Sequence, residues 1–499
     1  MSATATSPTS GAALLPIVAH LRPRLVASDR QRVVRLAGRI LGEDPRISAT
    51  DLFGPRVEAG LCDGPTLHIH DTGSASVGGL EFAREHRALL LAGDEDVVAM
   101  SRPPVRAFVE HCRDDLGLGG PSLLIPSLPD RPVPLALRCM NDPEVIFRLS
   151  GIAQAYDHLN VAPYIATGGV WALAGRVARE SGARIHVAGP PVRLCQKVNN
   201  KIWFARQVTE LLGSHALPVT TSARSWAVLA HSVRLCARQF PSVGIKLPSA
   251  SGASGNFVID SDVVRRLPSL RAVVGELRRL IRHLGWDDPF PMLVSVWEES
   301  VLVSPSVQLW IPTRGQGDPI VEGVFDQRVE PAAGKFVGCA PSLLSQDLME
   351  RLAHEATLLG ALFQELGYFG RCSFDCVLVG DDLSSAEVHW IECNGRWGGT
   401  SIPMTLANRL VGDWAERPFV VIGSVRTEPA SNLEEIREAA RDWIFDRAQG
   451  TGLIFLSPAP LETGTGIDIM AMGGSLSDAR RVTSEAIDVI SRGGVRLRH

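Results

Sequence analysis

The chain has 499 residues, 45% of them apolar and 21% charged, which is enough apolar sequence for a large buried core and sets a prior of about three domains. A formal charge of −4 argues against a protein whose main partner is nucleic acid or an acidic membrane surface. Of the 50 basic residues only four are lysine, Lys197, Lys201, Lys246 and Lys335, so each marks a place where an Arg-preferring chain keeps an ammonium. The nine cysteines are odd in number and lack CxxC spacing, as expected of reduced, buried thiols in a cytoplasmic protein. Cys372, Cys376 and Cys393 lie among alternating apolar positions without zinc-ligand spacing and are assigned to the core. The first residues carry no positive charge before Arg22 and their apolar run is broken by Pro16, so no signal peptide is expected. Nor does any stretch approach the roughly 20 apolar residues of a membrane-spanning helix.

In chain order, helical spacing over 12–41 predicts two amphipathic helices around Pro23. Over 67–126, short apolar runs at 67–69, 89–92, 97–100 and 123–125 alternate with helical segments such as 105–116, which is α/β patterning. A helix over 169–181 and a strand over 184–187 close this block before Pro190 and Pro191. A second block opens with a helix over 201–212 and continues with a strand at 243–247, a Gly/Ser loop, a strand at 256–259 and a helix at 267–284. Three antiparallel strands at 292–297, 306–311 and 320–327 and a helix at 345–366 follow. The runs 372–379 and 387–393, joined by the polar turn 380–385, read as a hairpin. Beyond Trp414 a helix at 432–447, a strand at 452–456, an apolar run at 466–472 and a helix at 477–491 form a small α+β appendage.

The strongest chemical signal is Trp390-Ile391-Glu392-Cys393-Asn394-Gly395-Arg396-Trp397-Gly398-Gly399, preceded by Ser373-Phe374-Asp375-Cys376. The hairpin brings Asp375 next to Glu392, and Glu392 and Asn394, two apart, share a face. Three oxygen ligands, two of them anionic, suit Mg²⁺, and Arg396 on the same face adds a bidentate cation. Alone, this pattern also fits a hairpin with a surface ion pair. The second signal is the loop Ser249-Ala250-Ser251-Gly252-Ala253-Ser254-Gly255-Asn256, whose small residues let backbone N–H groups approach phosphate oxygens. It lacks the order of a P-loop, and by itself it fits a flexible hairpin tip. Lys246, however, lies in the apolar strand before it, where an ammonium needs an anionic partner. Lys201 heads a helix, the unfavourable end for a cation.

A lysine opening a helix, a lysine on a strand before a small-residue loop, a strand ending in Trp297-Glu298, and a hairpin carrying D and then E-x-N-x-R-x-G-G together resemble the ATP-grasp superfamily over about 194–410. Upstream, Ala162-Pro163-Tyr164 with Thr167 and Leu173 is similar to the pre-ATP-grasp domain of the pheganomycin-type peptide ligases. The resemblance implies a multidomain α/β and α+β architecture. It comprises an N-terminal helical segment (1–60), a pre-ATP-grasp domain (61–193), a two-lobed ATP-grasp domain (194–411, lid lobe about 218–295) and the C-terminal appendage (412–499).

The resemblance also implies roles. Lys201 and Lys246 would contact the phosphates of ATP, with Ser251, Gly252, Ala253, Ser254 and Gly255 as a lid over them. Val296, Trp297 and Glu298 would form the adenine hinge, where Ser295 replaces the acidic residue of many members. Asp375, Glu392 and Asn394 would hold Mg²⁺, and Arg396 would stabilise the transferring phosphoryl group, making Arg396 and Lys246 the catalytic cations. Gly398, Gly399 and Thr400, beside Arg396, would receive a substrate carboxylate. The implied activity is an ADP-forming carboxylate-amine ligase that works through an acyl phosphate and joins a modified amino acid to an amino acid or peptide in natural-product biosynthesis. Its partners would be small-molecule carboxylate and amine or peptide substrates, without nucleic acid or membrane. A homodimer is compatible with the resemblance, and the sequence is silent on oligomeric state. Ammonia, a polyamine or a thiol as nucleophile is an alternative, as is a nucleotide-binding regulatory protein without turnover.

Overall fold

In a computed structural model of the chain, the residues described are 16–71, 85–127, 133–250, 255–287, 289–330, 334–427, 432–458, 461 and 466–491. Among them the strands form three sheets.

The first sheet contains β1 (Val57–Ala59), β2 (Thr66–Ile69), β3 (Val97–Ala99), β4 (Ser122–Leu124), β5 (His158–Pro163) and β6 (Arg184–Val187), in the order β1-β6-β5-β2-β3-β4. All its pairings are parallel. Helices cover it, so β2 and β3 are buried along their whole length, β3 as a continuous apolar run and β2 with Thr66 and His68 buried among apolar residues. The chain steps outward from β2 to β3 and β4, then returns to the other side of β2 with β5 and β6. The order therefore reverses between β2 and β5, and in such sheets ligands gather beyond the carboxyl ends of the strands at that point.

The second sheet, β7 (Thr220–Ala223), β8 (Ser242–Lys246), β9 (Asn256–Asp260) and β10 (Met292–Val296), has the order β7-β10-β8-β9 and is antiparallel. The helices Trp226–Gln239 and Leu270–His283 pack on it through Leu229, Val233, Val273 and Leu277, giving this lobe a core of its own.

The third sheet carries β11 (Val301–Val303), β12 (Pro305–Ile311), β13 (Ile320–Glu330), β14 (Lys335–Pro341), β15 (Gly370–Val379), β16 (Glu387–Asn394), β17 (Phe419–Val425), β18 (Gly452–Ser457) and β19 (Ile467–Met472). Helix Gln346–Glu365 covers one face, where Phe204, Phe363, Phe374 and Trp390 interlock. The C-terminal α+β segment adds β17, β18 and β19 to this sheet, with β17 pairing β14. A shared core, from Leu89 and Phe108 to Phe325, Met404 and Phe455, joins it to the first block as well.

Four expectations need correction, the first being the helix expected over 432–447, which stops at Ala439 and gives way to a 3₁₀ turn, Arg441–Trp443, and to Ile444 and Asp446 bridging Leu453 and Thr451. The segment 16–26 is not helical: it is held by Leu21 bridging Val321, and one helix, Ala27–Glu43, replaces the two expected around Pro23; residues 12–15 lie outside the described residues. The apolar run 89–92 lies in and just beyond a 3₁₀ helix, His86–Leu90, and is not a strand; its composition suits either, and tertiary packing decides. The strand 292–296 belongs to the second sheet and not with 306–311 and 320–327. Lys335, which the sequence leaves without a role, opens β14 and is exposed.

Candidate active site

Strands β15 and β16 pair antiparallel as the hairpin reading requires, and Asp375 stands opposite Glu392. Alternation buries Phe374, Cys376 and Cys393 in the core and turns Asp375, Glu392 and Asn394 to the other face. The Asp375 carboxylate accepts from Ser306 Oγ (2.6 Å) on β12 and from Asn394 Nδ2 (2.8 Å), and bonds Gln327 on β13. Burial and the facing Glu392 push the Asp375 carboxyl up to about 6 despite these donors. At Glu392, burial works in the same direction, but Lys201, Arg396 and Lys246 outweigh it and hold the carboxyl below its ordinary value. The two carboxylates thus share one cluster of positive charge unequally.

Lys201 is the first residue of helix Lys201–Leu212, whose N-cap Asn200 accepts from the N–H groups of Ile202 (3.0 Å) and Trp203 (3.1 Å). Its ammonium lies 2.8 Å from Glu392 Oε2 and donates to the carbonyl of Ala250 at 2.8 Å, which reconciles a cation with the helix N-terminus. Lys246, at the end of β8, is 7% exposed and lies 5.5 Å from the centre of the Trp297 ring. Burial lowers its pKa to about 8, with the carboxylates of Glu392 and Glu298 resisting and Lys201 assisting. The Glu298 side chain is committed to His389 Nδ1 on β16 at 2.8 Å. Ser295 is buried in β10.

Arg396 donates to Asn394 Oδ1 (2.6 Å), to the carbonyl of Trp397 (3.1 Å) and to the Tyr164 hydroxyl (3.3 Å). Burial works against its charge, yet Tyr164, Glu392 and Asp375 keep its pKa above the ordinary value. Gly398, Gly399 and Thr400 follow directly, but the N–H of Gly398 is taken by Ser401 Oγ (2.8 Å) and the Thr400 hydroxyl by Cys339. Gly399 is tight against Phe336, whose ring lies 2.6 Å from where a Cβ would stand. Of the predicted lid, Gly255 accepts the N–H of Leu247 at 2.8 Å, and residues 251–254 lie outside the described residues.

Tyr164, Asn199, Lys201, Glu392, Asn394 and Arg396 all line one pocket of about 120 Å³, with Ala250 at its rim. Sequence reasoning missed Ser306, Gln327 and Asn199. The polar Ser306 and Gln308, alternating with apolar residues along β12, were the available signal for the first; nothing local marks the others. Among the described residues, no group of three or more His, Cys, Asp or Glu could hold a metal ion; the predicted ligand set contains two carboxylates and an amide.

A parallel sheet followed by a two-lobed antiparallel unit, with acidic, amide and arginine side chains at the lobes' junction, is an ATP-grasp fold preceded by a pre-ATP-grasp domain. Residues 85–178 match the family model of the Pre ATP-grasp domain. The ADP complex of PurK, N5-carboxyaminoimidazole ribonucleotide synthetase, is similar with a TM-score of 0.52 and 13% identity over 87% of this chain and 98% of that one. The β,γ-ATP complex of biotin carboxylase from Campylobacter jejuni gives 0.50 and 14% identity over 85% and 91%. No curated protein matches by sequence. Among the described residues, no helix is long and apolar enough to cross a membrane.

Proposed function

We propose that the protein is an ATP-dependent, ADP-forming carboxylate-amine ligase. One observation carries the reading: the Lys201 ammonium, the Glu392 carboxylate and the Arg396 guanidinium line a single pocket, Asp375 stands opposite Glu392, and Lys246 adds its charge to the same carboxylate. Such a set neutralises transferring phosphate while leaving a buried anionic edge for a divalent cation. The donor set fits Mg²⁺: two facing carboxylates and the Asn394 amide share one face, and burial with Glu392 pushes the Asp375 carboxyl up to about 6, a repulsion that a divalent charge would relieve. Asp375, Glu392 and Asn394 would hold it, and when bound it would screen the phosphate oxygens.

A carboxylate is a poor electrophile. Lys246 and Lys201 would bind the phosphates of ATP, and Arg396 would stabilise the γ-phosphoryl group as it passes to the substrate carboxylate, giving an acyl phosphate and ADP. An amine then attacks the acyl carbon; phosphate leaves with the bonding electrons, the amine loses a proton, and an amide remains. Val296, Trp297 and Glu298 would face the adenine, Ser251–Gly255 the β- and γ-phosphates, and Gly398–Thr400 the substrate carboxylate. Because Gly398 and Thr400 are bonded internally, Arg396 would carry most of that recognition. Resemblance to the pheganomycin-type ligases extends the reading to a peptide bond between a modified amino acid and an amino acid or peptide in natural-product biosynthesis. Similarity to PurK, solved with ADP, supports the nucleotide assignment.

The test is ADP and phosphate release from MgATP across a panel of amino acids and peptides, with mass spectrometry of the product. Substrate-stimulated ADP release with an amide product is expected, and Glu392→Ala should abolish it. Release of AMP and pyrophosphate would replace the acyl phosphate with an adenylate.

A further inference from the structure

The geometry points to Tyr164 as the residue that positions Arg396 for phosphoryl transfer, making turnover depend on the first sheet as well as on the lobes that hold the nucleotide. The inference rests on the ligase reading above and goes beyond it. Tyr164 follows β5 immediately, on the carboxyl side of the point where the strand order reverses, and its N–H bonds the carbonyl of Ile69 at 3.0 Å, so the β2–β5 ladder fixes its backbone. The ring of His70, the residue after β2, lies 5.6 Å from its own.

From this platform Tyr164 reaches the end of β16 three times. Its hydroxyl accepts from Arg396 Nη1 at 3.3 Å, its ring centre lies 5.8 Å from the guanidinium carbon, and its carbonyl accepts the N–H of Trp397 at 3.0 Å. Asn199 restrains the same segment from the other side, accepting the N–H of Gly395 (3.1 Å) and donating to the Gly395 carbonyl (3.4 Å). Asn394 Oδ1 on β16 takes Nη2 of the guanidinium at 2.6 Å, and the Tyr164 hydroxyl takes Nη1 on its other side. The side chain of Tyr164, 7% exposed and walling the pocket, holds it toward the cavity. It neither gains nor loses a proton in this role. It narrows the positions Arg396 can take, and catalysis by placed charge is sensitive to that.

The probe is MgADP with and without aluminium fluoride, which stands in for the transferring phosphoryl group and should tighten MgADP binding to the wild-type chain. Tyr164→Phe keeps the ring and should leave the affinity for MgADP alone unchanged, while the tightening by fluoride falls about tenfold. Tyr164→Leu should lose about a hundredfold, and Tyr164→Phe added to Arg396→Ala should lose no more than Arg396→Ala does. A full fluoride effect in Tyr164→Phe, or additive losses in the double variant, overturns the positioning role. A loss of affinity for MgADP itself in Tyr164→Phe assigns Tyr164 to the fold instead. If wild-type protein fails to bind MgADP, it is the ligase reading that falls.

Discussion

The ammonium of Lys201 sits 2.8 Å from Glu392 Oε2, so the first residue of a helix and a residue near the end of strand β16 form one charged unit. Lys201 is 6% exposed, and the Glu392 side chain, which lines the pocket, is 30% exposed. A buried cation therefore keeps an acid ionised where burial opposes it. Lys201→Met removes the nearest of three cations from Glu392, with Arg396 and Lys246 remaining, and should cost about 2 kcal/mol, within the range for losing one partner of a charged hydrogen bond. Chemical denaturation reads the loss, and Lys201→Met/Glu392→Gln should recover part of it.

Lys246 should give the site an alkaline limit. Burial brings its pKa down to about 8, and phosphate contact requires the charged form. Affinity for MgATP should then decline as pH rises through that value, measured by calorimetry between pH 7 and 9.5. Lys246→Arg keeps its charge throughout and should flatten the decline. It should also lower kcat, since a planar fork cannot replace the ammonium beside Trp297.

Gly395 is a close-packing site. A Cβ there would stand 2.5 Å from Val198 Cγ2 and 3.0 Å from Asn199 Nδ2, pushing the peptide away from the Asn199 clamp. Gly395→Ala should reduce kcat about a hundredfold, as expected when a catalytic group moves by about 1 Å. The melting temperature should change little, because the shift is confined to the strand end. Wild-type kcat in this variant would remove the clamp from the account.

Acid should loosen the C-terminal segment from the first block. Asp115 pairs bidentately with Arg437 (2.7 and 2.8 Å) and accepts from His111 Nδ1 (2.7 Å), while His111 Nε2 accepts the N–H of Phe455 at 3.1 Å. Burial opposes the Asp115 charge, but Arg437 and His111 bring its pKa down to about 2. That stabilisation is complete above the unfolded value of 3.8 and is lost as pH falls toward 2. Burial also lowers the His111 pKa, so below 6.5 the unfolded chain takes up the proton that the folded one refuses, and stability falls in the same direction. Arg437→Ala should cost about 1–2 kcal/mol at pH 7 and clearly less at pH 2, where Asp115 is partly protonated in the folded chain, read by urea titration at both values.

Local spacing made the hairpin legible. Alternation between apolar and polar residues in 372–379 and 387–393, with a polar turn between them, fixes which side chains share a face, and Asp375 does stand opposite Glu392. The four lysines were equally visible, and Lys201 and Lys246 both lie beside Glu392 while Lys335 is exposed on β14. The run 89–92 was misread because four apolar residues carry no period, and the strand at 292–296 because strand order within a sheet is not a local property.

By itself the sequence determined the chemistry available: which acids, amides and cations exist, and the two-residue spacing that places Glu392, Asn394 and Arg396 along one strand end. Only the tertiary structure decided how their charge is shared. Tyr164 and Asn199 come from segments far from β16 in the chain, and Ser306 and Gln327 from neighbouring strands; no periodicity records such meetings. Proton affinity and orientation depend on burial and on partners within a few ångströms, and those are properties of packing, which assembles residues without regard to their separation in sequence.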